Sequence, residues 1–555
     1  MQNKSQSGNS KRCLRIMLLG LTLAVTNCSH YSTVSERRAA YQSPTPAGQM
    51  IAAAVKHPAK QPLTQIGRYL DAAAVAEGVL EKNPGDSQAR ADYSFAVARI
   101  FEVVNDAGLE PWKAPLQCPG AGQPWSLSFK ADGFQKLNPS NFTIRPTDRF
   151  QFEGRLVVQQ SQKEGLGAPV VINSKNFDIT KIDPFAQGKF AYYGMTGLVD
   201  IKGHECVATL LDPLSVETVT VAGQTYPLAA NFTAPIALAL AELKPRKTEL
   251  KRLLKPGEFQ GSARLARLQP YDPKKIPLLV IHGLGDSQAT WAPMIESLRA
   301  DPVFRANYQI WFFGYTTGFP YALNAAELRR QLDAIKVRYP DHKPIVVLGH
   351  SMGGMIARSL MTDSGMTLWN TFFATPPERT PLSKETSQIM TSALIFNHRP
   401  DISRVILASA SLHGSYMATN FFGRMGAKII GVPPALATAR EEVAAVRKPD
   451  ADGGKKKRVP NSIEGLNPDN PFLHAVNNIP PTKGIPYHSI IGDRGKGGNK
   501  DHTKPESTDG IVSYWSSHID GAESEIIIPS NHWSNQHPQG IAEVKRILHL
   551  HLGKK

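Results

Sequence analysis

The chain has 555 residues and a formal net charge of +16, from 63 Lys+Arg against 47 Asp+Glu. That length is too great for one core, so two or more domains are expected, and an apolar fraction of 41% excludes a wholly disordered chain. No nucleic-acid-binding motif accompanies the charge. No nucleic-acid partner is therefore expected, and a membrane surface ranks above it.

The N-terminus reads as an export signal. Lys4, Lys11, Arg12 and Arg15 precede a short apolar stretch, residues 16–25 (IMLLGLTLAV), which is too short to span a bilayer comfortably. Cys28 follows Val25-Thr26-Asn27, and the stretch resembles the lipobox of bacterial lipoproteins. That resemblance implies lipidation of Cys28 and a membrane-anchored protein of the bacterial cell envelope. Asn27 departs from it, because a small residue is wanted there; ordinary cleavage to a periplasmic or secreted protein, or an uncleaved anchor, stay open. Four cysteines without a C-x-x-C pair argue against a cysteine-built zinc site. In an oxidising compartment Cys118 and Cys206 are candidate disulfide partners, the alternative being two unpaired buried thiols.

Residues 29–60 carry Ser, Pro, Ala and charge with little periodicity and read as a tether. Residues 63–107 read as a helical hairpin broken at Asn83-Pro84-Gly85-Asp86, with Asp86 or Ser87 as the second cap. It resembles one tetratricopeptide unit, which cannot stand alone and is expected to pack on its neighbour. Residues 123–232 alternate apolar and polar positions between Gly, Asp and Pro turns. Strands are expected at 149–158, 190–201, 205–211 and 216–226, in a small sheet or sandwich. The first domain is thus 61–240. Residues 234–254 look helical and basic, and 241–275 read as a basic, solvated linker. A second basic run, Lys455-Lys456-Lys457-Arg458, also reads as a solvated loop, with anionic lipid as the alternative contact.

From residue 276 strands and helices alternate. Strands are expected at 277–281, 308–313, 343–348, 404–409, 487–491 and 525–529, and helices at 291–298, 323–339 and 352–361. This spacing predicts an α/β domain over 276–555, with a doubly wound, mostly parallel sheet and helices on both faces. Active sites of such sheets collect at the carboxyl ends of the strands. Residues 362–400 interrupt the pattern with exposed-looking Trp369, Phe372 and Phe373. They read equally as a packed insertion or as a lid over the site. Residues 431–465 read as a mobile excursion.

The most specific stretch is Gly349-His350-Ser351-Met352-Gly353, after an apolar strand and before a helical pattern. Gly-x-Ser-x-Gly in that context is a nucleophile elbow, a tight strand-to-helix turn that exposes a serine. A serine nucleophile needs a base, a group to orient the base, and donors for the oxyanion. His282-Gly283-Leu284-Gly285-Asp286 follows a buried strand. The amides of Leu284 and Met352 are the candidate donors. For the acid, Asp509 in Ser507-Thr508-Asp509-Gly510 is preferred. Asp493, directly after the strand at 487–491, is the alternative, and Asp501 is a third, weaker option. His532 closes the last strand and is the preferred base, with His537 the alternative; His549 belongs to the final helix.

Together HGLGD at 282–286, GHSMGG at 349–354, RVILASASLHGS at 404–415, STDGIV at 507–512 and IIIPSNH at 526–532 resemble a lipase-type α/β-hydrolase, of the bacterial lipase and GPI inositol-deacylase-like group. The resemblance covers about 276–552 and leaves the N-terminal half unassigned. It implies ester hydrolysis through an acyl-enzyme on Ser351, with no metal or organic cofactor and a lipid or other ester as substrate. The loop at 282–287 also looks like that of palmitoyl-protein thioesterases, so thioester cleavage or acyl transfer stays open. The reading from another class is a binding lipoprotein that keeps the fold without catalysis.

Overall fold

The computed structural model describes residues 31–553 except 38–39, 57–60, 131–137, 158–159, 175–176, 425–433, 449–460 and 495–497. The export stretch, Cys28 and the basic run at 455–458 lie outside the described residues.

The stretch read as a tether holds a strand, β1 (Thr33–Glu36), and a helix, α1 (Pro46–Lys56). Ala47, Ile51 and Ala54 of α1 are buried at the spacing of one helix face; two of the three are alanines, which gave little periodic signal. The helical hairpin forms as α2 (Pro62–Lys82) and α3 (Ser87–Asp106). The Asp86 carboxylate caps α3 by accepting from the Ala89 amide.

Next come β2 (Leu116–Cys118), β3 (Trp125–Lys130), β4 (Thr143–Pro146), β5 (Phe150–Glu153), β6 (Ala168–Asn173), β7 (Tyr192–Lys202) and β8 (Glu205–Leu211). Six of these build a sheet in the order β2-β3-β8-β7-β6-β4, while β5 pairs antiparallel with β1. The hairpin covers one face of the sheet. The Tyr93 hydroxyl donates to the Val199 carbonyl at 2.7 Å and accepts from the Val199 amide at 3.0 Å. Gly197 lies so close that a Cβ there would sit 2.2 Å from the Phe101 ring. The N-terminal half is therefore helix on sheet and not a sandwich, because α3 occupies the face a second sheet would need. The strand expected at 216–226 is a hairpin of two short strands, Thr218–Val221 and Gln224–Pro227.

Cys118 and Cys206 are both buried and both free thiols. They lie on β2 and β8, which flank β3. Two strand spacings are roughly 9.6 Å, beyond the Cα separation a disulfide spans. Burial pushes the two thiols up, to about 11 and about 12.

The helical stretch expected at 234–254 breaks in two, α4 (Ala234–Leu243) and α5 (Arg246–Leu254). Lys244 turns left-handed at φ 46° before Pro245, whose ring cannot continue the helix. The expected linker then holds a strand, β9 (Arg264–Arg267). Its arginines hid it, but Arg267 is 4% exposed and its guanidinium reaches both Asp183 carboxylate oxygens at 2.7 Å. Lys275 is also buried and donates to the Leu214 carbonyl. This part of the basic segment is therefore not solvated.

The strands of the second half and its main covering helices are β10 (Ile276–Ile281), α6 (Ala292–Ala300), β11 (Tyr308–Gly314), α7 (Tyr321–Arg338), β12 (Ile345–His350), α8 (Met352–Ser359), α9 (Lys384–Leu394), β13 (Ile402–Ala408), α10 (Pro434–Val446), β14 (Tyr487–Gly492), β15 (Ser524–Ile528) and α11 (Pro538–His551), with further helices between them. Seven strands form one sheet in the order β9-β11-β10-β12-β13-β14-β15, parallel except for the edge strand β9. Alternate residues feed two cores. Leu279, Ile281 and Val347 meet α7 and α8 on one face. Leu278, Val280, Val346 and Leu348 meet α6 and α11 on the other. Burial on both faces is why these strands read as unbroken apolar runs.

The insertions pack on the first of these cores. Trp369, Phe372 and Phe373 are buried in it and not exposed. The segment 431–465 is not wholly an excursion, since α10 lies within it and buries Val443 in the same core.

Candidate active site

Because β10, β12, β14 and β15 are parallel, the loops that follow them leave the sheet at one edge. Ser351 stands at the end of β12, directly before α8. Its backbone sits at φ 57°, ψ −125°, a conformation a residue with a Cβ rarely adopts. Such strain persists only where the surroundings enforce it. Here the Ser351 amide donates to the Ala408 carbonyl at 3.0 Å, and its own carbonyl accepts from the Gly354 amide at 2.9 Å. The next turn presses onto the end of β10. A Cβ on Gly353 would lie 2.4 Å from the Ile281 carbonyl oxygen and 2.5 Å from that of His282.

The three residues read as nucleophile, base and acid come together. His532 Nε2 is 3.0 Å from Ser351 Oγ, and His532 Nδ1 is 2.8 Å from Asp509 Oδ2. The other Asp509 oxygen accepts from the amides of Ile511 and Val512 at 2.8 and 2.7 Å. Burial raises the affinity of this carboxyl for protons. The His532 charge and hydrogen bond, with the two amides, outweigh burial and hold Asp509 below the usual carboxylate range. Asp509 is 2% exposed, Ser351 7% and His532 8%, so this chain of bonds is shielded from bulk water.

The alternatives fall outside it. Asp493 is buried, and its amide donates to the Ile528 carbonyl. It neighbours the chosen acid, since a Cβ on Gly492 would lie 2.8 Å from the Asp509 Cβ. Asp501 is exposed. His537 caps α11, its Nδ1 accepting from the Gln539 amide at 3.3 Å. His549 pairs with Asp301 at 2.8 Å.

The loop after β10 runs beside the serine. A Cβ on Gly283 would come 2.9 Å from the Ser351 Cβ. Among the described residues the amides of Leu284 and Met352 have no acceptor, which leaves both able to bind a developing oxyanion.

Sequence reasoning missed the residues that hold these parts. Tyr315, just past β11, donates its hydroxyl to the His282 carbonyl at 2.6 Å, and its ring stacks on the His282 ring at 4.3 Å. The Tyr315 amide faces His282 Nε2, and His282 Nδ1 faces the Gly283 carbonyl, which assigns the proton to Nδ1. His350, read only as a spacer within the motif, donates from Nε2 to the His532 carbonyl at 2.7 Å. Ser415, in the Leu412-His413-Gly414-Ser415 stretch, donates to the Ile511 carbonyl and braces the acid's turn. The signal for Tyr315 was its place at the end of a strand flanking the His-Gly strand. His350 and Ser415 stand in two of the stretches that carry the family resemblance, but those stretches did not say what either would hold.

Burial pushes His350 down to about 3 and His282 down to about 4. Both are neutral when folded and take up a proton near pH 6.5 when unfolded. The unfolded chain then binds more protons, so stability is full above about pH 6.5. It falls as pH drops, until the folded histidines themselves charge near pH 4 and 3. The expected slope reaches about 1.4 kcal/mol per pH unit for each histidine. Unfolding midpoints measured from pH 7 to 4.5 check this, and His350→Asn should flatten the curve.

Residues 278–544 match the model of the alpha/beta hydrolase family. No curated protein matches the chain. Among solved structures the chain is similar to the mature form of a Bacillus licheniformis lipase, at 16% identity and a TM-score of 0.31, over 52% of this chain and 98% of that one. It is also similar to a lipase-esterase related protein of Clostridium acetobutylicum, at 14% identity and 0.28, over 52% and 98%. A monoacylglycerol lipase of Paleococcus ferrophilus is similar at 14% identity and 0.29, over 52% and 96%.

Proposed function

We propose that this chain, whose residues 278–544 form a domain of the alpha/beta hydrolase family, is an exported serine esterase acting on carboxylic esters with an apolar acyl chain. The observation that carries the reading is the continuous bonding from Asp509 through His532 to a serine held at positive φ. In the first half-reaction Ser351 Oγ attacks the ester carbonyl carbon while His532 Nε2 takes the Oγ proton. Asp509 stabilises the imidazolium, and the Leu284 and Met352 amides bind the oxyanion. The tetrahedral centre collapses, the C–O bond to the alcohol breaks, and His532 protonates the departing oxygen. In the second half, water attacks the acyl-enzyme and gives its proton to His532. The carboxylic acid leaves as the proton returns to Ser351.

An open apolar cleft supports the acyl preference. It is open to solvent along one side. Phe319 and Tyr321, Ile389 and Leu394 of α9, Val443 of α10, and Phe472 line it. Both insertions thus contribute a wall, and Phe319, four residues after Tyr315, lines the cleft as well. A chain-length series of p-nitrophenyl esters, with matched thioesters, tests the reading. Medium and long acyl chains should be turned over best. Val443→Trp should lower kcat/KM for the dodecanoate by about tenfold and leave the acetate unchanged. Equal rates across the series would sink the acyl preference, and turnover of thioesters alone would replace the ester.

Export and anchoring through Cys28 rest on the basic start, the short apolar stretch and the cysteine after it. Among the described residues no helix is long and apolar enough to cross a membrane. Radiolabelled palmitate fed to expressing cells should enter wild-type protein and not Cys28→Ser. Equal labelling of the two would exclude that anchor.

A further inference from the structure

Tyr31 lies far from Ser351 in sequence, yet its side chain reaches toward both loops of the candidate site. Its backbone is fixed first. The Tyr31 carbonyl accepts from the Leu156 amide at 3.1 Å, and its ring packs with Leu156 and Ala289. Its hydroxyl donates to Glu249 Oε2 at 2.7 Å. Glu249, on α5, is 5% exposed. Its other oxygen accepts from the Ser287 hydroxyl, and Ser287 ends the loop that carries Leu284. On the opposite side, the Arg155 guanidinium lies 5.6 Å from the Tyr31 ring centre and 5.8 Å from that of Trp533. Trp533 directly follows His532. One tyrosine from the N-terminal half thus leads by one bridge to the candidate oxyanion loop and by another to the loop of the candidate base.

We infer that Tyr31, acting through Glu249 and Ser287, is a positioning residue that fixes the oxyanion loop for catalysis, and that the segment before the first domain is therefore part of the working enzyme. The inference rests on the serine-esterase reading. A loop amide must stand within hydrogen-bond reach of the oxyanion and not of the ground-state carbonyl. A brace on that loop therefore acts on kcat and leaves KM nearly untouched. Glu249 is the link, because a buried carboxylate holds two hydroxyl donors in fixed directions.

The test is a double-mutant cycle on the full chain, with p-nitrophenyl butyrate as substrate. Tyr31→Phe removes one oxygen and keeps the ring. Tyr31→Phe and Ser287→Ala should each lower kcat about tenfold with KM within twofold of wild type. The double variant should be no more than twofold below either single, because both substitutions cut one path. Tyr31→Ala, which also removes the ring beneath Arg155, should lower kcat further. Glu36→Gln, at an exposed position of β1, should leave it unchanged. Unchanged kcat in Tyr31→Phe, fully additive losses, or a raised KM with kcat kept would each overturn the inference. Fluorophosphonate labelling of Ser351 separates the two failures. Folded wild type that does not label removes the esterase reading and this inference with it, whereas labelled wild type with unaffected variants removes the inference alone.

Discussion

Ser351→Ala is expected to lower kcat for a p-nitrophenyl ester by about 10⁶-fold, with His532→Ala close behind. The two losses should not add, since each removes the same step. Asp509→Asn should cost about 10⁴-fold. An amide nitrogen facing His532 Nδ1 would force the proton onto Nε2, where the Ser351 hydroxyl needs an acceptor. Asp493→Asn and His537→Ala should stay within tenfold of wild type. Asp493 does not bond the His532 ring, and His537 is occupied as the cap of α11. Steady-state kinetics on the five variants decides the matter. If the Asp493 and Asp509 effects are reversed, or those of His532 and His537, the assignment made from the hydrogen bonds is wrong.

Gly353→Ala is the second large effect, and it acts on the fold as well as on the site. The added methyl would meet the Ile281 and His282 carbonyl oxygens at 2.4 and 2.5 Å. Neither can yield cheaply. Ile281 is paired on both sides within the parallel sheet, and Tyr315 holds the His282 carbonyl. Relief requires parting α8 from β10, which would undo the elbow's geometry. We expect a loss of roughly 3 kcal/mol or more, in the range of severe overpacking, and activity reduced in the same step. Gly78→Ala gives the contrast, because nothing lies within 4 Å of its would-be Cβ. In the interior of α2 it should gain about 0.5–1 kcal/mol. Thermal unfolding of the two variants reads both. An unchanged midpoint in Gly353→Ala would show that the elbow is not clamped as described.

The sheet was legible because its strands are buried on both faces, so KPIVVL and PLLVI stand out as apolar runs. The elbow and the last-strand histidine were legible because their roles tie them to the ends of such runs. The acid was harder. Gly492, the residue before Asp493, lies against Asp509, so both aspartates follow the end of β14 and position along the chain could not separate them; the bond to His532 does. The strand β9 was invisible because buried arginine looks like solvated arginine until Asp183, far away in sequence, is seen beside it. The same holds for His350, Ser415 and Tyr31, whose partners are fixed by the fold and leave no local pattern. The aromatic residues of 362–400 misled for the opposite reason, since they look exposed in a polar neighbourhood but fill a core shared with α7.

The arginine pairs also say where this protein can be divided. Likeness to the hydrolase family begins at residue 278, and a cut just before it would seem natural. Yet Arg305, 4% exposed, binds Glu217 through two contacts of 2.6 and 2.9 Å, and that pairing holds Glu217 down to about 2. Severed there, the C-terminal half would keep a buried guanidinium without its carboxylate, and its sheet would lose the edge strand β9. A buried charge stripped of its partner is among the costliest defects a fold can carry. The two halves are therefore not interchangeable modules, and grafting the C-terminal half onto another carrier would require an acidic residue to be supplied opposite Arg305.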